Sequence, residues 1–443
     1  MESTSNEDAS RILKGILNIG ELSGAENDQG SSSHENNGGS DRLKNGHEFP
    51  AENITESIDS YSAQESDSFR LDPVLQFLHF TGDEEQGSLS IYGNEVHITT
   101  DEVDIRQPIV AGSNRVRIVP VTNYDWESKY YNGNLLSVSS KYIAYGIRGK
   151  SGFMLRILNR KTVQKALIKG FTGSIEDMSF AHYNSDRLAC IDSAGDVFVW
   201  TISENDDLIN YTLKLCIKRK NETLPEVSTG NRLVWCPYVV DDDDGDDDDE
   251  NISEQVLAAN VGRGAEVFDV DMITGAHGDT VDVDNIKNGI VKVQGHTNVF
   301  TDIALAPDGS VLATASEDGL VKFWQINFES GDPPLCLHEW QPHDGQPVSR
   351  LMFCDNHVVQ DDKSPFWRFL ITGARHNSEL KIWCTVTWSC LQTIRFKLPA
   401  SNLTFVSPPP LKLKASLDLS AQYLVLSDID RKVVGSGKRL RLL

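Results

Sequence analysis

The sequence predicts an all-β fold: a β-propeller of about seven blades, the last one incomplete, preceded by a disordered acidic arm. Three observations point there. From about residue 88 to residue 434, short apolar runs alternate with Gly, Asp, Asn and Pro turns at strand-and-hairpin spacing. Residues 295–324 hold one complete repeat unit with a Gly-His start and a Trp end. Before residue 88 the composition shifts to Ser, Asn, Glu, Asp and Gly, which cannot bury enough apolar surface to fold alone. At 443 residues the chain exceeds one ordinary domain, but a single propeller of repeated blades absorbs that length.

The arm, residues 1–87, is interrupted by RILKGILNIGEL, where Ile12, Ile16 and Ile19 recur at helical spacing beside Leu13 and Leu17. Gly15 and Gly20 weaken any helix there, so a chance apolar cluster is the favoured reading. The strand text EVHITTDEVD at 95–104 is counted toward a first blade. LLSVSSKYIAYGIRGKSGFMLRILN, 135–159, is a second unit, and 170–200 is a third, with Phe171 where a His is expected, Asp192 or Asp196 at the turn, and Trp200 closing the strand. NRLVWCPYVV and EQVLAANVGRGAEVFDVD form a fourth, ending at Phe268-Asp269. Its insert DDDDGDDDDE, 241–250, has nine acidic residues in ten, so the charges repel and the segment is a solvated loop. It lacks the spaced ligands of a calcium loop, and repulsion of RNA or docking of a basic partner is the better reading.

In GHTNVFTDIALAPDGSVLATASEDGLVKFW, 295–324, two strands and a third follow one another across Pro307-Asp308-Gly309 and Glu317-Asp318-Gly319 turns. This is the pattern of a WD40 blade. Its His296, Thr314, Asp318 and Trp324 are expected to form a structural tetrad in which the carboxylate accepts from the imidazole, the imidazole engages the hydroxyl and the hydroxyl accepts from the indole N–H. Such a network uses the His in packing, which weighs against a catalytic His-Asp pair. The next unit runs from His343 to Trp383, and with Asn377 at its turn in place of Asp its polar network is expected to be incomplete. SLDLSAQYLVLSDIDRKVV, 416–434, supplies the last partial blade. The GSGKRLRLL end, 435–443, is an atypical basic tail that fits no strand.

The net charge of −24 disfavours nonspecific nucleic-acid binding, leaving RNA contact indirect or weak. Lys141, Arg148, Lys150, Arg156, Arg160, Lys161, Lys165 and Lys169 gather near Tyr142, Tyr145 and Phe153, and strand alternation makes them the solvated face of one blade rather than an RNA reader. The 7 cysteines show no C-x-x-C and no ligand spacing, so they read as buried reduced thiols. The N-terminus is no signal peptide and no run reaches membrane-spanning length, which points to a cytosolic or nuclear protein. No HExxH, GxSxG or phosphate-cradling loop occurs, so neither an enzyme nor a cofactor or metal site is expected.

YDWESKYY, PFWRFLITGA, WCTVTWSCLQTIRF, DMITGAHGDTVDVDNIKNGIVKVQGHT and LDLSAQYLVLSDIDRKV, with the text between them from about 88 to 434, resemble the enhancer of mRNA-decapping protein 4 family, called Varicose in plants. The resemblance implies a noncatalytic scaffold of cytoplasmic processing bodies that couples the decapping catalytic subunit to its activator. The family's helical carboxy-terminal region, which drives self-association, does not follow here; the sequence reads as a truncation, and self-association is in doubt. A substrate receptor or RNA-contacting adaptor on the same fold is the alternative. For partner contact the candidates are loop aromatics, Tyr124, Trp126, Tyr130 and Tyr131; the competing reading has them staple the first blade to the second.

Overall fold

Six sheets succeed one another along the chain, each headed by a strand that touches the heading strand of the next. The computed structural model describes residues 74–80, 91–100, 131, 133–150, 152–182, 184–205, 208–220, 230–236, 255–330, 332–354, 367–397, 411–418, 423–428 and 439–441. The acidic insert, the island at 12–19 and the loop residues Tyr124, Trp126 and Tyr130 lie outside them.

Blade I pairs Leu136–Val138, Tyr142–Gly149, Gly152–Asn159 and Lys165–Ile168 in an antiparallel meander. Blade II does the same with Ile175–Phe180, Arg187–Asp192, Val197–Asn205 and Leu208–Lys218. Blade III comprises Arg232–Trp235, Val256–Val261, Gly264–Asp269 and Ile290–Val293. Its third and fourth strands are joined by the helix Val270–His277, capped at its start by the Asp269 carboxylate accepting from Met272 N–H. On the way back, Thr280–Asp282 pairs parallel with the outer strand of blade II. Blade IV is Phe300–Leu305, Val311–Ser316, Val321–Gln325 and Cys336–Trp340. Blade V is Val348–Phe353, Phe369–Ala374, Glu379–Cys384 and Ser389–Lys397. Blade VI has three strands among the described residues, Leu413–Leu417, Tyr423–Asp428 and Arg439–Arg441.

Three expectations change. Glu95–Thr100 does not start a blade of its own: it pairs parallel with Ser389–Lys397 and widens blade V. Leu75–Phe80, inside the span expected to be a disordered arm, pairs parallel with Glu95–Thr100 and makes blade V six-stranded. The reason is alternation in VLQFLHF: Gln76 and Leu78 turn inward, and the Gln76 carboxamide oxygen accepts from Tyr92 and Gly93 N–H. The basic tail also supplies a strand, since Arg439–Arg441 pairs with Tyr423–Val425. A ladder needs only backbone groups, and basic residues suit an edge strand.

The core lies between blades. One apolar cluster fills each of the five interfaces between successive blades, from Leu155, Phe180 and Trp200 between blades I and II to Met352, Leu380 and Leu424 between V and VI. Strands buried on both faces explain the near-continuous apolar text, with Ile191 and Val199 facing blade III while Leu188 and Cys190 face blade I. Burying one such Leu or Ile is worth about 1.5–3 kcal/mol. The circuit closes where Tyr131 O–H donates to Leu413 O at 2.9 Å and Lys414 Nζ donates to Gly133 O at 2.9 Å.

Candidate functional site

In blade IV the four predicted residues are brought together. His296 precedes the inner strand, Thr314 sits on the second, Asp318 in the turn and Trp324 on the third. His296 Nδ1–H donates to Asp318 Oδ2 at 3.1 Å, Nε2 accepts from Thr314 Oγ1 at 2.9 Å, and Trp324 Nε1–H donates to the same oxygen at 2.9 Å. Burial holds the His296 pKa below its ordinary value despite the facing carboxylate, so the ring is neutral and the tautomer follows from the network.

Blade V builds the same network, correcting the expectation that Asn377 leaves it incomplete. His343 Nδ1–H donates to Glu379 Oε1 at 2.8 Å, Nε2 accepts from Thr372 at 2.8 Å, and Trp383 Nε1–H donates to Thr372 at 3.0 Å. The longer Glu reaches from the following strand to where an Asp in the turn would sit. Blade II replaces the network with packed rings, Phe171 lying edge-on to Phe198 at 5.1 Å and to Trp200 at 5.8 Å. Both Asp192 and Asp196 serve its turn: Asp192 accepts from Gly173 N–H at 2.8 Å and Asp196 from Lys218 Nζ at 2.8 Å.

The inner strands carry a second pattern. In blades II, IV and V the pairing skips one residue, Glu176, Thr301 and Ser349, and the next residue is charged: Asp177, Asp302 and Arg350. A bulge re-aims the side chain that follows it. Arg232 and Lys414 hold the same place in blades III and VI, ahead of Leu233 and Ala415. Asp177 accepts from Asn134 N–H of blade I at 2.8 Å and from Leu233 N–H of blade III at 3.0 Å; Asp302 accepts from Leu351 N–H of blade V at 2.8 Å. Each carboxylate therefore staples its blade to a neighbour. Arg232 stands 3.4 Å from Asp177 and 3.6 Å from Asp302, and Arg350 stands 3.7 Å from Asp302. Tyr131, Arg232, Asp302, Arg350 and Lys414 line a cavity of about 10 Å³. Burial, with Arg232 and Arg350 nearby, lowers the Lys414 pKa to about 8.

A family model described as the WD40 region of Ge1, enhancer of mRNA-decapping protein, matches residues 112–436. The chain belongs to the Ge1 family. It is 45% identical over 361 residues to enhancer of mRNA-decapping protein 4 of Danio rerio, covering 81% of this chain and 25% of that protein. With the Homo sapiens protein of that name the identity is 43% over 385 residues, 85% of this chain and 27% of that one, and with the Drosophila melanogaster homolog 33% over 372 residues, 81% and 26%. The chain thus spans about a quarter of the length of these relatives. Among solved structures, the WD40 domain of Toxoplasma gondii coronin matches with a TM-score of 0.42 and 17% identity, over 68% of this chain and 65% of that one.

On this Ge1-family propeller, Tyr131 of the four candidate aromatics is placed, and it turns inward. Its hydroxyl accepts from Asn377 Nδ2 at 3.0 Å, and its ring meets His376 at 5.9 Å. This is a staple, though it ties the segment leading into blade I to blades V and VI rather than the first two blades to each other. Within the basic face of blade I, Lys141 pairs with Asp186 at 2.9 Å and Arg160 donates to Ser139 O at 2.9 Å, so two of its cations serve the fold. Sequence reading missed the charged inner-strand residues. Their trace was present: a charged residue stands just before the first large side chain of each apolar run, as in ED-MSF, NR-LVW, TD-IAL and SR-LMF. Among the described residues no group of three or more His, Cys, Asp or Glu is arranged to hold a metal ion, and no helix is long and apolar enough to cross a membrane. No disulfide joins any of the 7 cysteines; Cys190, Cys216 and Cys236 are buried, while Cys390 is exposed.

Proposed function

We propose that this propeller is a noncatalytic scaffold module that promotes mRNA decapping by holding decapping factors, the decapping catalytic subunit and its activator, through its surface loops. The observation that carries the reading is membership of a family whose relatives are named enhancers of decapping, matched across most of the propeller. The chemistry of the buried polar groups supports it. Both tetrad histidines are bound at both ring nitrogens, and Asp177 and Asp302 accept backbone N–H groups from neighbouring blades. Groups so engaged hold blades together and are not poised for proton transfer. The setting is the cytoplasm and its processing bodies.

Affinity capture with the purified chain from cytosol, followed by a cap-release assay with added decapping enzyme and activator, tests the proposal. Recovery of the catalytic subunit or its activator, with faster cap release, is the expected result. Recovery of cullin-type adaptors in their place overturns it. RNA contact, if it contributes, is weak: filter binding of a short RNA should show a shallow salt slope, because few phosphates are neutralised.

A further inference from the structure

We propose that the propeller channel binds one small inorganic anion, of the size of a halide, where Arg232, Arg350 and Lys414 converge. Charge is the first argument. Three cations meet two carboxylates there, and both carboxylates already accept backbone N–H groups of adjacent blades. The ion contacts that remain are long, 3.4 to 3.7 Å, beyond good hydrogen-bond distance.

Unused donors are the second argument. The Arg232 side chain is 7% exposed, and its Nε and Nη1, like the Nε of Arg350, are buried with no hydrogen-bond acceptor among the described residues. A buried charged donor without an acceptor is strongly disfavoured. Lys414 Nζ gives one proton to Gly133 O and keeps two more. The neutral groups lining the cavity are by contrast engaged: Thr301 O–H with Val348 O, Ser349 O–H with Gly373 O, and Asn377 Nδ2 with Leu413 O. What the side of the cavity formed by Arg350 and Lys414 lacks is an acceptor within hydrogen-bond distance that carries negative charge, since Asp302 stands 3.7 Å from Arg350.

Size is the third. A cavity of about 10 Å³ is on the scale of a single water-sized occupant, which favours a monatomic anion over a tetrahedral oxyanion. Asp302 Oδ1, also without a hydrogen bond, is the one group there that repels an anion, and it lies 3.6 Å from Arg232 Nη2. The ion belongs on the side of Arg350 and Lys414. Burial and the two guanidinium neighbours together lower the Lys414 pKa, as the convergence of cations at one point does.

Crystals of the whole chain grown in sodium bromide, read by bromine anomalous scattering, test the proposal together with melting curves in sodium chloride against sodium gluconate at matched ionic strength. A bromine peak in the channel, and a higher melting temperature in chloride that K414Q loses, are expected. A channel holding only water, or a chloride effect that K414Q retains, overturns it. Should K414Q not fold, the bromine map of the unaltered chain decides.

Discussion

Glu379 and His343 lie 2.8 Å apart, and that bond is one link of a relay that ends on an N-terminal strand added to blade V. Glu379 Oε2 also accepts from Arg395 Nε at 2.8 Å, and Arg395 in turn bonds Glu95. The relay Glu95–Arg395–Glu379–His343–Thr372–Trp383 crosses blade V from its added strand to its core. Removing one member strands the others. Glu379→Ala is expected to cost about 2–4 kcal/mol of unfolding free energy, by loss of a charged hydrogen bond and exposure of a buried imidazole N–H to no partner. Urea melts of the variant beside Asp318→Ala, its blade IV counterpart, check this; a cost below 1 kcal/mol for both contradicts it.

Asp302→Ala should be costlier than a surface change, about 3–5 kcal/mol, because Arg232 and Arg350 then face each other without it and Leu351 N–H loses its acceptor. Asp302→Asn keeps an oxygen for Leu351 and should recover part of that loss. Chemical denaturation of the pair provides the comparison.

Acid should weaken the blade IV and V junction before it weakens the rest. His338 stacks on Trp388 with ring centroids 3.6 Å apart, and burial pushes its pKa down to about 4. A folded pKa below the unfolded value of about 6.5 means the unfolded chain binds the proton first. Stability from this group is complete above about 6.5 and falls as pH drops toward 4. His338→Phe should flatten stability against pH in that window, measured by denaturant melts at successive pH values.

Lys414 works in the opposite range. With a folded pKa of about 8 against 10.5 unfolded, the unfolded chain holds more protons between these values, so this group makes stability rise with pH there. Buried thiols pull the other way above pH 9, as burial raises Cys236 to about 12. The difference between the unaltered chain and Lys414→Met isolates the lysine: the variant's relative advantage should shrink as pH climbs from 8 to 10.5.

Gly319 adopts φ +80, and a Cβ there would meet the Gly345 carbonyl oxygen at 2.6 Å. Gly319→Ala combines left-handed strain with a backbone clash and should cost about 2 kcal/mol or more, read by thermal melting. It would loosen the turn that carries Asp318.

The blade IV tetrad was legible because each residue sits at a fixed offset from a Gly-bearing turn. Blade V hid its own network, since Glu379 lies on the strand and Asn377 occupies the expected turn position, where it bonds Tyr131 and Leu413 instead. Parallel addition of Glu95–Thr100 to blade V could not be read from alternation, which reports faces and not partners. The channel charges were visible as letters, but only three-dimensional closure shows that Asp177, Arg232, Asp302, Arg350 and Lys414 point to one place.

The pairing of Glu95 with Thr393 and its neighbours has a consequence for biogenesis. Glu95 and Arg395 are 300 residues apart, so at about 5–20 residues per second the early segment leaves the ribosome about 15–60 s before its partner exists. During that interval Leu78 and Val96, buried in the finished blade, have no strand to pack on and stay open to solvent. Completion of blade V is thus a timing event, gated by translation of the second half of the chain.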